Sequence, residues 1–491
     1  MRARDVIITA CVVGALAAYL FSNEFHALST DAGQHYALVR MLMDMDGWVR
    51  PAQSYLGPMT SYPPLAHWIA AGVGTVAGSG LLGMAFVATA SVALFYLVLF
   101  ILALRIDPRV PIVACALIAA YALLRGPVFG RQIVNNYFFA QTVGSAIAIA
   151  TLLLMLDVRR RWKPAACDLF VLAAGQLLVA THLTPASQLI AAYCTILACE
   201  AWIKTSRATA VRLALFATGS LVLTALNPYA RILVLAAQQG GGAHINHLLG
   251  AQPVQLAAAI LGSLASLRLL SKTSGDDDAG LFLGCTGLAL CGLMMLQLML
   301  RWIGFGSDYA VAKHVFVTVT VLIVIIAANL TLARRPPRRA GDAQRTARGA
   351  APNAAPGPGF GLAWCAVLAL LASRADLYPS VVELRQIVSF QDAVRETAQT
   401  ISTESAGRLK PIALVSAWPA PIGYMINLGD LKQPFEATVP PAQDQRAAAD
   451  VILMPPDDRR FVPACRIPAY TTAKVAVLDY PCLLQAAPRH R

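Results

Sequence analysis

LLGMAFVATASVALFYLVLFILAL, at residues 81–104, is an apolar run without a charged residue, and LFLGCTGLALCGLMMLQLML, at residues 281–300, is another. A helix of about 20 apolar residues crosses the ~30 Å hydrocarbon core of a bilayer. The chain is 57% hydrophobic and 13% charged, whereas soluble domains carry about 25% charged residues. The sequence therefore predicts an all-α polytopic membrane protein.

About eleven segments are predicted to span the membrane. The first follows Arg2 and Arg4 and lacks a small-residue cleavage site, so we expect it to remain in the chain. Residues 65–77 are apolar but short, and they are predicted to form an interfacial or re-entrant helix inside a long outer loop, residues 23–80. The predicted spans are residues 5–22, 81–104, 110–124, 138–156, 165–181, 187–203, 208–226, 254–270, 280–300, 314–333 and 360–376.

The loops between these spans alternate in basicity. Cytoplasmic loops are enriched in Lys and Arg, so the net charge of +13 indicates orientation rather than nucleic-acid binding. The bias predicts a bacterial inner-membrane protein with a cytoplasmic N-terminus and a periplasmic C-terminus. One set of loops carries 18 basic residues: Arg2, Arg4, Arg105, Arg109, Arg159, Arg160, Arg161, Lys163, Lys204, Arg207, Arg268, Lys272 and six Arg between Arg334 and Arg348. The opposite set, counted to residue 314, carries seven: Arg40, Arg50, Arg125, Arg131, Arg231, Arg301 and Lys313.

The chain is predicted to have four parts: a transmembrane core at residues 1–333, a basic cytoplasmic linker at 334–359, a last span at 360–376 and a periplasmic tail at 377–491. The linker is rich in Pro, Gly, Ala and Arg and cannot form a packed core. The tail pattern predicts a small α/β domain, with a helix over residues 381–405 and strands over 412–416, 450–454 and 474–479. Cys465 and Cys482 lie in this tail and are candidates for one disulfide in an oxidising compartment.

The first outer loop, STDAGQHYALVRMLMDMDGWVRPAQSYLGPMTSYPPLAHW at residues 29–68, is the most informative loop. Apolar residues recur at helical spacing after Asp31, which predicts an amphipathic helix on the membrane surface that ends at Asp46-Gly47. His35 follows Asp31 by one turn and shares its face, so the two are the candidate catalytic residues, with His35 supporting Asp31. Asp31 can be an ordinary helix cap or partner of the helix dipole, or it can be a general base whose pKa is raised by desolvation at the lipid–water boundary.

This order of features resembles the first loop of the C-type (GT-C) membrane glycosyltransferases, especially the protein O-mannosyltransferase and aminoarabinose-transferase branches. In those families an acidic residue opens the loop after the first span, and a Pro-Pro-Leu segment closes it. The matching positions are Asp31, Pro63-Pro64-Leu65 and Trp68. The resemblance implies a GT-C-like fold, a polyprenyl-phosphate-linked sugar as donor, and an acid that deprotonates or orients the acceptor hydroxyl.

The sequence departs from the family pattern at two positions, and each departure limits what the resemblance implies about the site. Ala32 follows Asp31 where relatives often have a second acid, which weakens the case for a metal in this loop. Tyr62 stands where the family has a basic residue before Pro-Pro, so a contact to phosphate must come from elsewhere. No cofactor is predicted firmly, and a divalent metal remains an option.

Other polar groups fall in the predicted outer segments, as do all eight histidines. Arg301 and Lys313 flank a short loop that also holds Asp308, and two cations at headgroup depth suit a lipid phosphate whose charge grows as the glycosyl bond breaks. They can equally be snorkelling residues at helix ends. Further candidates for substrate binding are Tyr62, Asn135, Asn136 and His182. The ordinary alternative is helix capping for the two asparagines and satisfaction of backbone carbonyls at a helix end for His182.

These observations predict a glycosyltransferase that moves a sugar from a polyprenyl-phosphate donor to a lipid, polysaccharide or protein acceptor of the envelope, with membrane lipids around it and no nucleic-acid partner. No phosphate loop or nucleotide-binding motif occurs, which argues against a nucleotide-sugar donor. The alternatives are a transporter or flippase of a lipid-linked envelope precursor, and a non-catalytic scaffold whose tail binds an envelope protein. Transporters place ionisable groups inside their spans, whereas here the polar groups lie on one face.

Overall fold

A computed structural model shows a helical protein with one small sheet. It describes residue 14 and residues 31–45, 54–230, 245, 247–273, 278–333, 377–414, 420–433, 449–458 and 461–486. The predicted span at 360–376, the linker at 334–359 and all of the predicted span at 5–22 except residue 14 lie outside the described residues.

Fifteen α-helices and three strands are labelled in chain order among the described residues. The helices are α1 (Asp31–Met43), α2 (Leu65–Ala77), α3 (Gly80–Ile106), α4 (Val110–Leu123), α5 (Arg131–Asn136), α6 (Phe139–Val158), α7 (Pro164–Val179), α8 (Leu183–Lys204), α9 (Arg207–Leu226), α10 (Gln252–Thr273), α11 (Asp278–Trp302), α12 (Asp308–Ala333), α13 (Leu377–Glu404), α14 (Ala420–Met425) and α15 (Tyr480–Ala486). The strands are β1 (Pro411–Ala413), β2 (Val451–Met454) and β3 (Ala476–Asp479).

Seven helices of the described chain are long and apolar enough to cross a membrane, namely α3, α6, α8, α9, α10, α11 and α12. Each coincides with a predicted span. Helices α4 and α7 also coincide with predicted spans but have only 14 and 16 residues. Helix α2 is apolar and has 13 residues, too few to cross the hydrocarbon core. The fold class predicted from the sequence, an all-α polytopic membrane protein with a small C-terminal α/β region, is confirmed.

The chain divides into two compact units, which are described separately. The transmembrane unit comprises Met1–Leu20, Ser91–Gln132 and Gln141–Ala375. Within it α11 packs against α8, α10 and α12, and α12 packs against α4. Small residues permit close approach between these helices, as in other membrane bundles: a Cβ on Gly262 of α10 would lie 2.5 Å from the Leu322 side chain of α12.

Apolar side chains are exposed on the outer surface of this unit, as expected of helices that contact lipid. The most apolar 18-residue segment of α12 is 83% buried inside the protein, whereas the corresponding segment of α9 is only 11% buried. Leu215, Leu221 and Leu226 on α9 are each at least 70% exposed. A soluble protein rarely exposes so large a continuous apolar face, so this face is suited to lipid.

The loop–tail unit comprises Phe21–Ala90, Ile133–Ala140 and Asp376–Arg491. In this unit α1 packs against α2, α14 and the π-helix Ile426–Asp430 that continues α14. Nine of the thirteen α1 residues are buried. Residues of the tail therefore cover much of α1, whereas its position on the membrane surface stays a prediction.

The tail sheet has the strand order β1-β2-β3, with β1 parallel to β2 and β2 antiparallel to β3. Its core cluster comprises Ile452, Met454, Ala476, Leu478 and Tyr480. A disulfide joins Cys465 to Cys482, whose Cα atoms are 5.5 Å apart. The bond connects the 3-10 turn at Pro463–Cys465 to α15, on either side of strand β3.

Candidate functional site

Two histidines of the outer loop meet in the loop–tail unit. Nδ1 of His35, on α1, lies 2.7 Å from Nε2 of His67, on α2. The rings stack with centroids 5.0 Å apart, and both side chains are buried. One ring must donate and the other accept, so the two rings cannot both be imidazolium while this bond is made. The contact joins the segment after Asp31 to the segment Pro63-Pro64-Leu65-Ala66-His67.

Aromatic side chains surround the histidine pair. The ring of Tyr62 stands edge-on to both histidines with centroids 5.6 Å away. The Phe139 ring lies 5.9 Å from His35 and 5.6 Å from His67, and the Tyr137 ring lies 6.0 Å from His35. Such packing excludes bulk water, which strengthens polar interactions made inside the cluster.

Asp31 is the first residue of α1 and is half-buried. A carboxylate at a helix N-terminus is stabilised by the helix dipole. The position fits a partner of the helix dipole and also places the carboxylate one turn before His35.

A buried carboxyl group fixes α1 to the tail. The Tyr36 hydroxyl donates a 2.8 Å hydrogen bond to Oδ1 of Asp430, and Nε of Arg395 lies 3.6 Å from the same oxygen. The Asp430 side chain has no solvent exposure, and its Oδ2 has no hydrogen-bond partner among the described residues. Burial raises the pKa of Asp430 to about 7, although the Tyr36 hydrogen bond and the Arg395 charge act in the opposite direction.

Glycines allow the close approach of α1 to the tail. A Cβ on Gly33 would lie 2.5 Å from the ring of Tyr424, and a Cβ on Gly429 would collide with the ring of Tyr36. The two contacts are reciprocal, because each segment provides one glycine and one tyrosine. Farther along, the Asp44 carboxylate pairs with Arg40 at 2.8 Å and with Lys432 at 3.4 Å.

In the transmembrane unit, Lys313 and His182 come together. Nζ of Lys313 lies 3.2 Å from Nε2 of His182 and 4.2 Å from the centroid of the Tyr309 ring. Nδ1 of His182 accepts the backbone N–H of Thr184 at 3.1 Å, so His182 also caps α8. Capping fixes the ring and leaves Nε2 directed at the lysine. From the sequence, His182 was expected either to line a cavity or to satisfy backbone carbonyls, whereas its Nδ1 accepts a backbone N–H.

Arg301 and Asp308 form a second cluster at the same end of this unit. The guanidinium of Arg301 lies 3.3 Å from the Asp308 carboxylate, which accepts a 2.8 Å hydrogen bond from Gln252. Gln252 in turn accepts a 3.0 Å hydrogen bond from the indole of Trp302. The ion pair is largely exposed, with 39% and 67% of the two side chains accessible. A surface ion pair of this kind contributes about 0–1 kcal/mol and is readily exchanged for another anion.

The remaining polar residues to be placed are the asparagine pair and the candidate metal ligands. Asn135 and Asn136 end the short helix α5 and do not precede a helix as caps, and Asn136 is buried. The Asn135 side chain lies outside the described part of the structure. Among the described residues, no three His, Cys, Asp or Glu side chains are placed to hold a metal ion. His247 caps a 3-10 turn, and its Nδ1 lies 3.4 Å from the Tyr121 hydroxyl.

Two residues that the structure singles out were not chosen from the sequence. His67 belongs to the quoted loop motif, and its position just after Pro63-Pro64-Leu65 was the available signal. No feature of the local sequence marks Asp430 as a buried residue, because an acid that follows a glycine is common in ordinary turns.

Comparisons with known proteins show a similarity to solved structures but to no family model. No family model matches the sequence, and no curated protein matches it. A solved structure is similar to the chain. It is the crystal structure of ArnT from Cupriavidus metallidurans in the apo state, which is 12% identical, with 97% of this chain and 98% of that chain covered and a TM-score of 0.36. With a TM-score this low, the functional proposal rests on the residues of the chain itself.

Proposed function

We propose that this protein is a membrane glycosyltransferase that transfers a sugar from a polyprenyl-phosphate donor to an envelope acceptor at the outer face of the membrane. The observation that carries the proposal is the contact between His35 and His67. It brings together the two segments of the outer loop, one following Asp31 and one following Pro63-Pro64-Leu65, whose order resembles that of C-type transferases. A loop that served only as a connector would not need a buried polar pair at its centre.

In the proposed reaction Asp31 removes or orients the proton of the acceptor hydroxyl, and the histidine pair fixes the helix that carries it. The acceptor oxygen attacks the anomeric carbon, the bond from that carbon to the lipid phosphate breaks, and the configuration inverts in a single displacement. Negative charge grows on the departing phosphate. Lys313, held beside His182, is proposed to stabilise that charge.

Arg301 is the second proposed phosphate contact. Its present partner is the exposed Asp308 carboxylate, and a phosphate dianion competes well for a guanidinium because it accepts two parallel hydrogen bonds. Asp308 would then keep its hydrogen bond from Gln252. Tyr62, Asn135 and Asn136 remain proposed sugar contacts, and a divalent metal remains an optional component.

The proposal is tested by supplying the purified protein in liposomes with a radiolabelled polyprenyl-phosphate sugar and an envelope extract. We expect label to move to the acceptor and free polyprenyl phosphate to appear in equal amount. A nucleotide sugar offered instead should give no product. Transbilayer movement of the intact lipid donor without breakage of the glycosyl bond would contradict the proposal and would favour a flippase.

The leaving-group role is tested by Lys313→Ala with Lys163→Ala as the matched control. We expect the first variant to lose about 10²-fold or more in kcat, the loss that removal of one charge-stabilising donor typically gives. Lys163 lies in the exposed turn before α7, at the opposite end of the transmembrane unit, and its variant should keep wild-type kcat. Equal rates for both variants would remove Lys313 from the reaction.

A further inference from the structure

A cavity of about 580 Å³ gives small molecules access to a thiol of the transmembrane unit. The cavity lies at the end of α8 far from His182, between the last turns of α8 and α10 and the first turn of α11. Cys199 of α8 lines it, and this cysteine is free and partly exposed. The volume falls within the range of about 300–1,000 Å³ that is usual for sites that bind small molecules. A molecule that enters the cavity therefore meets a nucleophile.

A second thiol lies behind Cys199. Cys285 of α11 is free and fully buried, and its thiol is in hydrogen-bonding contact with that of Cys199. Helices α8 and α11 pack against each other along this region. Leu281 of α11 also lines the cavity, and Cys285 follows it by four residues, so Cys285 lies one turn deeper on the same face of the helix.

An ion-pair network holds the two helices together beside the thiols. The guanidinium of Arg159 lies 2.6 Å from the Glu200 carboxylate and 3.6 Å from the Asp278 carboxylate. Glu200 follows Cys199 on α8, and Asp278 is the first residue of α11. The end of one helix is thus fixed next to the start of the other, which keeps the two thiols close.

An accessible thiol with a second thiol next to it is the arrangement found at sites of reversible oxidation. A cysteine that only fills space between helices behaves as a small hydrophobe and needs neither access nor a thiol partner. The end of the unit that holds the cavity is predicted to face the cytoplasm, where thiols are kept reduced and disulfides are mostly transient. Both cysteines are therefore expected to be thiols in the resting protein.

We propose that Cys199 and Cys285 form a redox-active dithiol that small disulfides oxidise through the cavity. The Cys199 thiolate attacks one sulfur of the small disulfide, whose S–S bond breaks, and the first thiol leaves with the proton that Cys199 lost. The Cys285 thiolate then attacks Sγ of Cys199 and releases the second thiol, which takes the proton of Cys285. Two electrons pass to the small disulfide, and a new disulfide joins α8 to α11. This site is separate from the proposed transferase site and does not depend on it.

The experiment treats the folded full chain in detergent with 2-hydroxyethyl disulfide. This probe is small and neutral, so its entry does not depend on the charges at the mouth of the cavity. The reaction is run at about pH 8.5, the ordinary pKa of a free thiol. The remaining thiols are then alkylated, and the unreduced peptides are sequenced by mass spectrometry. We expect a peptide pair that is linked through Cys199 and Cys285, with no mercaptoethanol adduct left on either residue.

Serine variants separate the two steps. Cys285→Ser should stop at the mixed disulfide and keep the adduct on Cys199. Cys199→Ser should lose the linked peptide completely and leave Cys285 unmodified, because Cys285 is buried. Cys194→Ser is the matched control on α8, since Cys194 is also partly exposed, and Cys291→Ser is the matched control on α11, since Cys291 is also buried. Both controls should form the link as the wild-type protein does.

Three results would overturn the proposal. The first is an adduct that persists on Cys199 of the wild-type protein without a linked peptide, and the second is a wild-type protein in which both thiols stay unmodified. These two results are decisive even if a serine variant fails to fold. The third is a linked peptide containing Cys285 that still forms in Cys199→Ser, which would show that another thiol makes the attack.

Discussion

The His35–His67 bond is a polar contact in an aromatic environment, and such contacts are costly to break because a buried nitrogen loses its partner. His67→Phe keeps the ring volume but removes this hydrogen bond. We expect it to destabilise the protein by about 1–3 kcal/mol, seen as a lower melting temperature in detergent.

His67→Gln is the matched variant, because its amide can still donate to or accept from His35. We expect it to lose less stability than His67→Phe and to retain more transferase activity. Melting temperatures that do not distinguish the two variants would show that the ring contacts alone, and not the hydrogen bond, hold the pair together.

Asp430 gives the loop–tail unit a defined dependence on pH. Its folded-state pKa of about 7 exceeds the ordinary value of 3.8, so the folded chain holds this proton more tightly than the unfolded chain. The stability that the proton contributes is fully present below about pH 4 and is lost as pH rises through 7. The contribution is at most about 4 kcal/mol, at ~1.4 kcal/mol per pKa unit. The charged or ionisable groups that face Asp430 are Tyr36, Arg395, Arg40 and Asp392.

The measurement is the melting temperature at pH 5 and pH 8. Wild type should lose more stability between these values than Asp430→Asn, because the amide does not titrate and can still accept from Tyr36. Asp392→Asn is the matched control, since Asp392 pairs with the same Arg395 but is half exposed. If the stability of Asp430→Asn depends on pH as strongly as that of wild type, the pH dependence does not come from protonation of Asp430.

At the scale of elements, helix α1 packs against the tail through two glycine–tyrosine contacts. Gly429→Ala would drive a methyl group into the Tyr36 ring, and Gly33→Ala would do the same at Tyr424. We expect each variant to cost about 1–3 kcal/mol, as overpacking usually does. Faster proteolysis of the tail would report the loosened contact.

Gly72→Ala is the control for these substitutions, because a Cβ at this α2 position meets no atom within 4 Å. Alanine in an open helical position should be neutral or stabilising. If Gly33→Ala and Gly429→Ala behave like Gly72→Ala, the contact between α1 and the tail does not hold the unit together.

The same element shows where prediction from sequence succeeds and where it stops. The helical period after Asp31 correctly predicted α1, and long uncharged runs correctly predicted helices such as α3 and α11. The tail residues that cover α1 were not predicted, because Tyr36 and Asp430 are 394 positions apart and no local pattern reports that contact. In the candidate site, residue types and loop order suggested Asp31 and His35, whereas the partner His67 required the fold.

At the scale of the whole molecule, basic residues are concentrated at one end of the transmembrane unit. Arg105 pairs with Asp157, and Arg159 pairs with Glu200, at the end where the predicted cytoplasmic loops lie. Lys313, His182 and Arg301 lie at the other end. This division supports the proposal that the chemistry takes place on a single face of the membrane. The cytoplasmic position of the N-terminus stays a prediction from the charge bias.

The account as a whole depends on a carboxylate at the start of α1 acting on an acceptor hydroxyl. Its most direct measurement is the rate of sugar transfer from a polyprenyl-phosphate donor by Asp31→Asn in liposomes. Asp44→Asn is the matched control, because Asp44 follows the same helix and serves an ion pair with Arg40. We predict a loss of about 10²-fold or more for Asp31→Asn, as expected for removal of a general base, and a near wild-type rate for Asp44→Asn. A wild-type rate in Asp31→Asn would contradict the proposed mechanism.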